Sequence, residues 1–137
     1  MKIKNDAMKY LVLLIVCIPL ILSGCEARTS QVVGGTAGSL TAGEFPIPDF
    51  EIKVYKTGDT VPLGLGTTGK DGKFQLFQPK GEGPLWLEEG EYSITLESVG
   101  PEMPRMLPAY TNPSKTPVKV KWKGDDKSLE LKIPSFK

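Results

Sequence analysis

The chain has no histidine, and of its two cysteines, Cys17 and Cys25, the first lies inside an apolar N-terminal run. Without histidine it lacks the side chain that titrates near neutral pH and the commonest metal ligand. Nucleophilic catalysis of the Ser–His or Cys–His type is excluded with it. An excess of one charge is also missing. Residues 1–24 carry Lys2, Lys4 and Lys9 against Asp6; from totals of 17 and 16, the remainder holds 14 basic against 15 acidic residues. A near-neutral chain argues against nucleic acid as a partner, since that role needs clustered Lys and Arg. No window of ten or more residues free of proline and glycine carries a helical apolar stripe.

What is present begins with a short basic segment, Met1–Lys9, followed by the uncharged run Tyr10–Leu22 and the small residues Ser23 and Gly24. Thirteen residues are too few for a bilayer span of about 20, so the pattern reads as a secretory signal. Leu22-Ser23-Gly24-Cys25 resembles the bacterial lipobox. The resemblance implies a diacylglyceryl group on the Cys25 thiol and cleavage after Gly24. It places the mature chain in a bacterial cell envelope, lipid-anchored and extracytoplasmic, with the membrane as its first partner. Two or three acyl chains, at about 0.8 kcal/mol per buried methylene, suffice for stable anchoring. Glu26 stands where an aspartate would favour inner-membrane retention, which favours the outer membrane in a cell that has two. The organisation expected is a cleaved signal peptide over 1–24, a lipidated cysteine and flexible tether over 25–35, and one domain over 36–137. With Cys17 removed, the mature chain has no intramolecular disulfide.

Beyond the tether the apolar pattern has period two. Phe50/Ile52/Val54, Phe74/Leu76, Tyr92/Ile94/Leu96, Val118/Val120/Trp122 and Leu129/Leu131/Ile133 each alternate with polar residues, as half-buried strands do. Turns are expected at Lys70-Asp71-Gly72, Glu89-Gly90-Glu91 and Lys123-Gly124-Asp125-Asp126. The fold class is all-β. Residues 100–117 hold five prolines and no strand pattern; the segment is expected to cap one end of the fold, with Tyr110 and one of Met106 and Leu107 well buried and Met103 exposed.

Three stretches are similar to the carboxypeptidase regulatory-like, or transthyretin-like, β-sandwich domains. Gly35–Leu40 looks like their opening strand, Thr67–Leu76 like their threonine, Asp-Gly turn and aromatic strand, and Leu87–Leu96 like their glycine and tyrosine strand. Glu89 and Asp49 depart from that pattern. Leu107–Tyr110 and Asn112–Val118 are similar to the late segment of small bacterial lipoproteins carrying this domain. The resemblance implies a seven-stranded Greek-key sandwich serving as an accessory or binding module, with no catalytic residues and no cofactor.

The candidate site residues are few. Glu88, Glu89, Glu91, Asp125 and Asp126 fall on turns expected to be solvated, which lack the apolar pocket that acid–base work by a carboxyl pair needs. Asp125-Asp126 reads as a polar turn rather than a calcium site. Asn112 lies in the proline-rich segment and Glu97 points outward, against a lysine–asparagine cross-link. Lys119, Lys121 and Lys123 form a row that keeps an edge strand soluble or attracts envelope anions. Trp122 shares the phase of Val118 and Val120 and belongs in the core. Trp86 is out of phase with Leu85 and Leu87: it either packs beneath the long loop, the preferred reading, or presents its ring to a sugar or protein partner. The function expected is a non-catalytic envelope lipoprotein whose domain mediates protein contact or assembly. The alternative is glycan binding through Trp86 and the lysine row.

Overall fold

The structure, a computed structural model, describes residues 34–102 and 105–135. Leu22, Ser23, Gly24, Cys25 and Met103 lie outside the described residues. Eight strands are formed within them: β1 (Ala37–Ala42), β2 (Phe45–Pro46), β3 (Phe50–Lys56), β4 (Gly64–Thr67), β5 (Lys73–Gln75), β6 (Gly90–Ser98), β7 (Lys119–Trp122) and β8 (Leu129–Ile133). Two short 3-10 turns, Pro79–Gly81 and Pro108–Thr111, interrupt the connections.

The strands make two four-stranded sheets. In one, β1 is central: β8 runs parallel to it on one side, and β5 and the two-residue β2 pair antiparallel on the other. In the second the order is β4-β3-β6-β7, all antiparallel. Apolar residues of both sheets share one core, including Leu40 of β1, Ile52 and Val54 of β3, Ile94 and Leu96 of β6, and Leu129 and Leu131 of β8. Alternation explains the assignment: β8 buries every second residue, and so does β3 from Phe50 to Val54, as a pleated strand with one dry face does, although Tyr55 on the opposite face is buried too. The two long runs, β3 against β6, carry seven paired residues from Phe50↔Ser98 to Lys56↔Tyr92.

Threonine hydroxyls tie the loops to these sheets. Buried Thr68 accepts the Phe50 N–H at 2.9 Å, and Thr36 accepts the Leu87 N–H at 2.8 Å. Thr116 donates to the Ile94 carbonyl at 2.6 Å and accepts the Val118 N–H at 3.1 Å. A buried hydroxyl with partners on both sides stabilises, whereas an unpaired one would cost about 1–3 kcal/mol.

Several local expectations are corrected. Gly35, assigned to the tether, is buried with φ +94, and a Cβ there would collide with the Leu76 carbonyl. Gly90 is no turn residue; it starts β6 opposite Trp122. The Asp71-Gly72 turn does form, with Gly72 at φ +72 and Asp71 Oδ1 accepting the Lys73 N–H at 3.1 Å. Asp49, where the resemblance asks for a small residue, holds the left-handed conformation at φ 57 that glycine adopts more easily.

Candidate functional site

Trp86 follows Leu85, whose carbonyl accepts the Thr36 N–H at 2.8 Å and so fixes this segment against the start of β1. Leu85 and Leu87 pack partly buried on the core, and the residue between them is turned outward. Trp86 is 66% exposed, contrary to the expectation that it packs beneath the long loop. The reason is this local anchoring: backbone bonds at Leu85 and Leu87 hold the segment at the Thr36 end of β1, leaving the indole at the rim. Gly34 is its neighbour, since a Cβ there would lie 3.4 Å from the Trp86 ring. The indole borders a cleft of about 380 Å³ whose polar lining is Thr36, Asp126 and Lys127 and whose second aromatic is Trp122. Trp122 itself is 6% exposed, in the core as its phase requires.

Lys119 and Lys121 lie on β7, the outer strand of its sheet, and Lys123 follows it; all three are exposed. Lys119 is not free: its ammonium donates to the buried Ser93 hydroxyl at 2.9 Å. Lys119 and Lys121 border a different groove, with Thr57 and Glu91. Trp86 and this pair of lysines are therefore not brought to one cleft, and the cation beside Trp86 is Lys127.

The polar turns are occupied by their own backbone. Asp126 Oδ2 accepts the Lys123 N–H at 2.8 Å, and Asn112 Oδ1 accepts the Ser114 N–H at 2.9 Å. Glu97 is exposed, as its phase requires, and meets Lys53 at 3.5 Å while Glu51 meets it at 2.8 Å. The Glu51 carboxylate, hydrogen-bonded to the ammonium, raises the Lys53 pKa, against the lowering effect of burial. Burial raises the pKa of Tyr92, whose hydroxyl donates to the Glu88 carbonyl at 2.7 Å. Among the described residues every buried side-chain nitrogen or oxygen has a hydrogen-bond partner. No helix among them is long and apolar enough to cross a membrane.

The cap expected over residues 100–117 is partial. Met106 and Tyr110 are half-buried against the core and Leu107 is 68% exposed. Prolines on either side of this short turn hold the segment along the surface, and Thr116 is the residue that enters the interior. Other exposed apolar residues that no periodicity flagged are Phe45 in β2 and Val61, Leu63 and Val99 in connections. Compared with family models, with characterised proteins and with solved structures, the chain has no match.

Proposed function

We propose that the protein is a lipid-anchored, extracytoplasmic component of a bacterial envelope whose β domain is a non-catalytic protein-interaction or assembly module. The observation that carries this reading is Leu22-Ser23-Gly24-Cys25 directly after a 13-residue apolar run. It is supported by a domain that displays apolar side chains at its surface, among them Trp86, Phe45 and Leu107. The outer membrane is the better site where there are two, on the strength of Glu26. We assign the domain the transthyretin-like Greek-key topology. Two orders favour it: β5-β1-β8 with first and last strands parallel, and β4-β3-β6-β7 opposite; β2 is then a two-residue extension of the β1 hairpin.

The test is capture from solubilised membranes with the lipidated chain as bait. The same specific envelope protein should return in repeated captures and be lost when Trp86 and Leu107 are changed together to Asp. Captures that return nothing reproducible, together with unchanged envelope behaviour on deletion, contradict the reading.

A second reading is supported by one observation, the exposed indole beside Thr36, Asp126 and Lys127. Aromatic faces stack on sugar rings while neighbouring polar groups bond the hydroxyls. A glycan array with binding abolished by Trp86→Ala would favour this reading over the first; a silent array would remove it.

A further inference from the structure

The free edge of β8 differs from the other sheet edges. Among the described residues β8 pairs only with β1, over Gly38↔Leu129 to Ala42↔Ile133. The Ile133 carbonyl accepts the Gly43 N–H at 3.1 Å, so it points toward β1. Backbone groups alternate sides along a strand, so Leu129, Leu131 and Ile133 address β1, and the N–H and C=O of Glu130 and Lys132 address the free edge. An unpaired row of this kind is a template for another strand. A groove of about 360 Å³ lies along β8 and is bordered also by Tyr110, Val118 and Val120.

Side chains say which strand fits. Leu129, Leu131 and Ile133 are buried, while Glu130 and Lys132 are exposed on the outer face. Pairing β8 antiparallel with β8 of a second copy must match outward with outward residues, because a one-residue slip turns the apolar set to solvent. Three two-fold centres satisfy that. Centring on Glu130 sets Glu130 against its own copy, and centring on Lys132 sets Lys132 against its own copy and Glu130 against Pro134, which has no N–H. Centring on Leu131 sets each Glu130 opposite a Lys132 and makes both of these hydrogen-bonded pairs, with opposite charges cross-strand. Only this register unites charge complementarity with the outward backbone groups. The β7 edge shows the contrary design: any self-pairing there sets lysine against lysine, since its outward residues are Lys119 and Lys121. The β4 edge is bridged, Leu65 to Phe77.

The geometry points to a second copy of this chain as the occupant of the β8 edge, joined antiparallel about Leu131 into one sheet continuous across a two-fold axis. The pairing names a partner for the assembly reading above and rests on it only in that sense.

The test is the protein mass of the full chain in mild detergent, by light scattering or sedimentation across a concentration series. Wild type should weigh two chains. Glu130→Lys alone and Lys132→Glu alone should each weigh one, because each sets like charges opposite. Mixing those two variants should restore a two-chain species, and so should combining both substitutions in one chain. Circular dichroism spectra of all four should coincide, since both positions are exposed, and the two single variants should melt together, at or below the dimeric proteins because association stabilises the folded state. A single-chain wild type overturns the proposal, as does a dimer unmoved by either single substitution or a mixture that stays monomeric. Each of these three failures leaves membrane capture with its own independent result.

Discussion

The Tyr92 hydroxyl donates to the Glu88 carbonyl, and its ring lies in the core. Burial raises its pKa above the ordinary 10.0, so the folded chain holds this proton more tightly than the unfolded one. Lys53, held by Glu51, is raised above 10.5 in the same direction. A raised folded pKa contributes stability that is complete below the unfolded value and is lost as pH climbs through the folded one. The melting temperature should therefore begin to fall from about pH 10 upward. Tyr92→Phe should cost about 1 kcal/mol near neutrality, through the lost hydrogen bond, and flatten part of that alkaline slope. An unchanged slope would show that another group governs it. Trp86 offers a second measurement at this scale. Its ring is wet and Trp122 is shielded, so iodide should quench one indole only. Trp86→Phe should abolish that quenching and move stability by no more than about 0.5 kcal/mol, the range of ordinary surface changes.

The elements differ in how plainly the residues announced them. β8, and β3 from Phe50 to Val54, alternate because one face is wetter than the other, and that contrast is visible in hydropathy alone; the burial of Tyr55 is not. β4 is Gly-Leu-Gly-Thr, and its two buried positions are glycines, which carry no hydropathy signal. What places it is tertiary: a Cβ at Gly64 would meet Leu85, and one at Gly66 the ring of Phe74. In β6, Ser93 and Thr95 are as buried as their apolar neighbours, and Lys119 reaches from β7 to the Ser93 hydroxyl, a cross-strand contact with no local signature. The phase of Trp86 against Leu85 and Leu87 left burial beneath the long loop and exposure both open; the bonds to Thr36 that decide for exposure, like the cleft partner Asp126, are distant in sequence. The proline-rich segment contributes less packing than a full cap. Tyr110→Ala should cost about 1.5–2.5 kcal/mol, half the loss for a fully buried aromatic. Thr116→Val should cost about 1–3 kcal/mol, because it strips partners from both Ile94 and Val118. Chemical denaturation of the two variants checks the order; a larger loss from Tyr110 would restore the full cap.

At the scale of the whole molecule, sheet edges and charge balance act together. A near-neutral chain with lysines along β7 has one sheet edge guarded and, at β8, one edge patterned for its own copy. On a membrane, two-dimensional confinement raises the local concentration of such domains, so weak edge pairing can matter there. Confinement at a membrane depends on the thiol of Cys25 carrying lipid. Serine cannot replace that thiol, so Cys25→Ser should leave an unlipidated, uncleaved precursor. The most direct measurement is the intact mass of the native protein after extraction from cells. A mature chain that begins at Cys25 and carries the added mass of acyl chains is the predicted result. An unmodified chain, or one that begins at any other residue, would contradict the account.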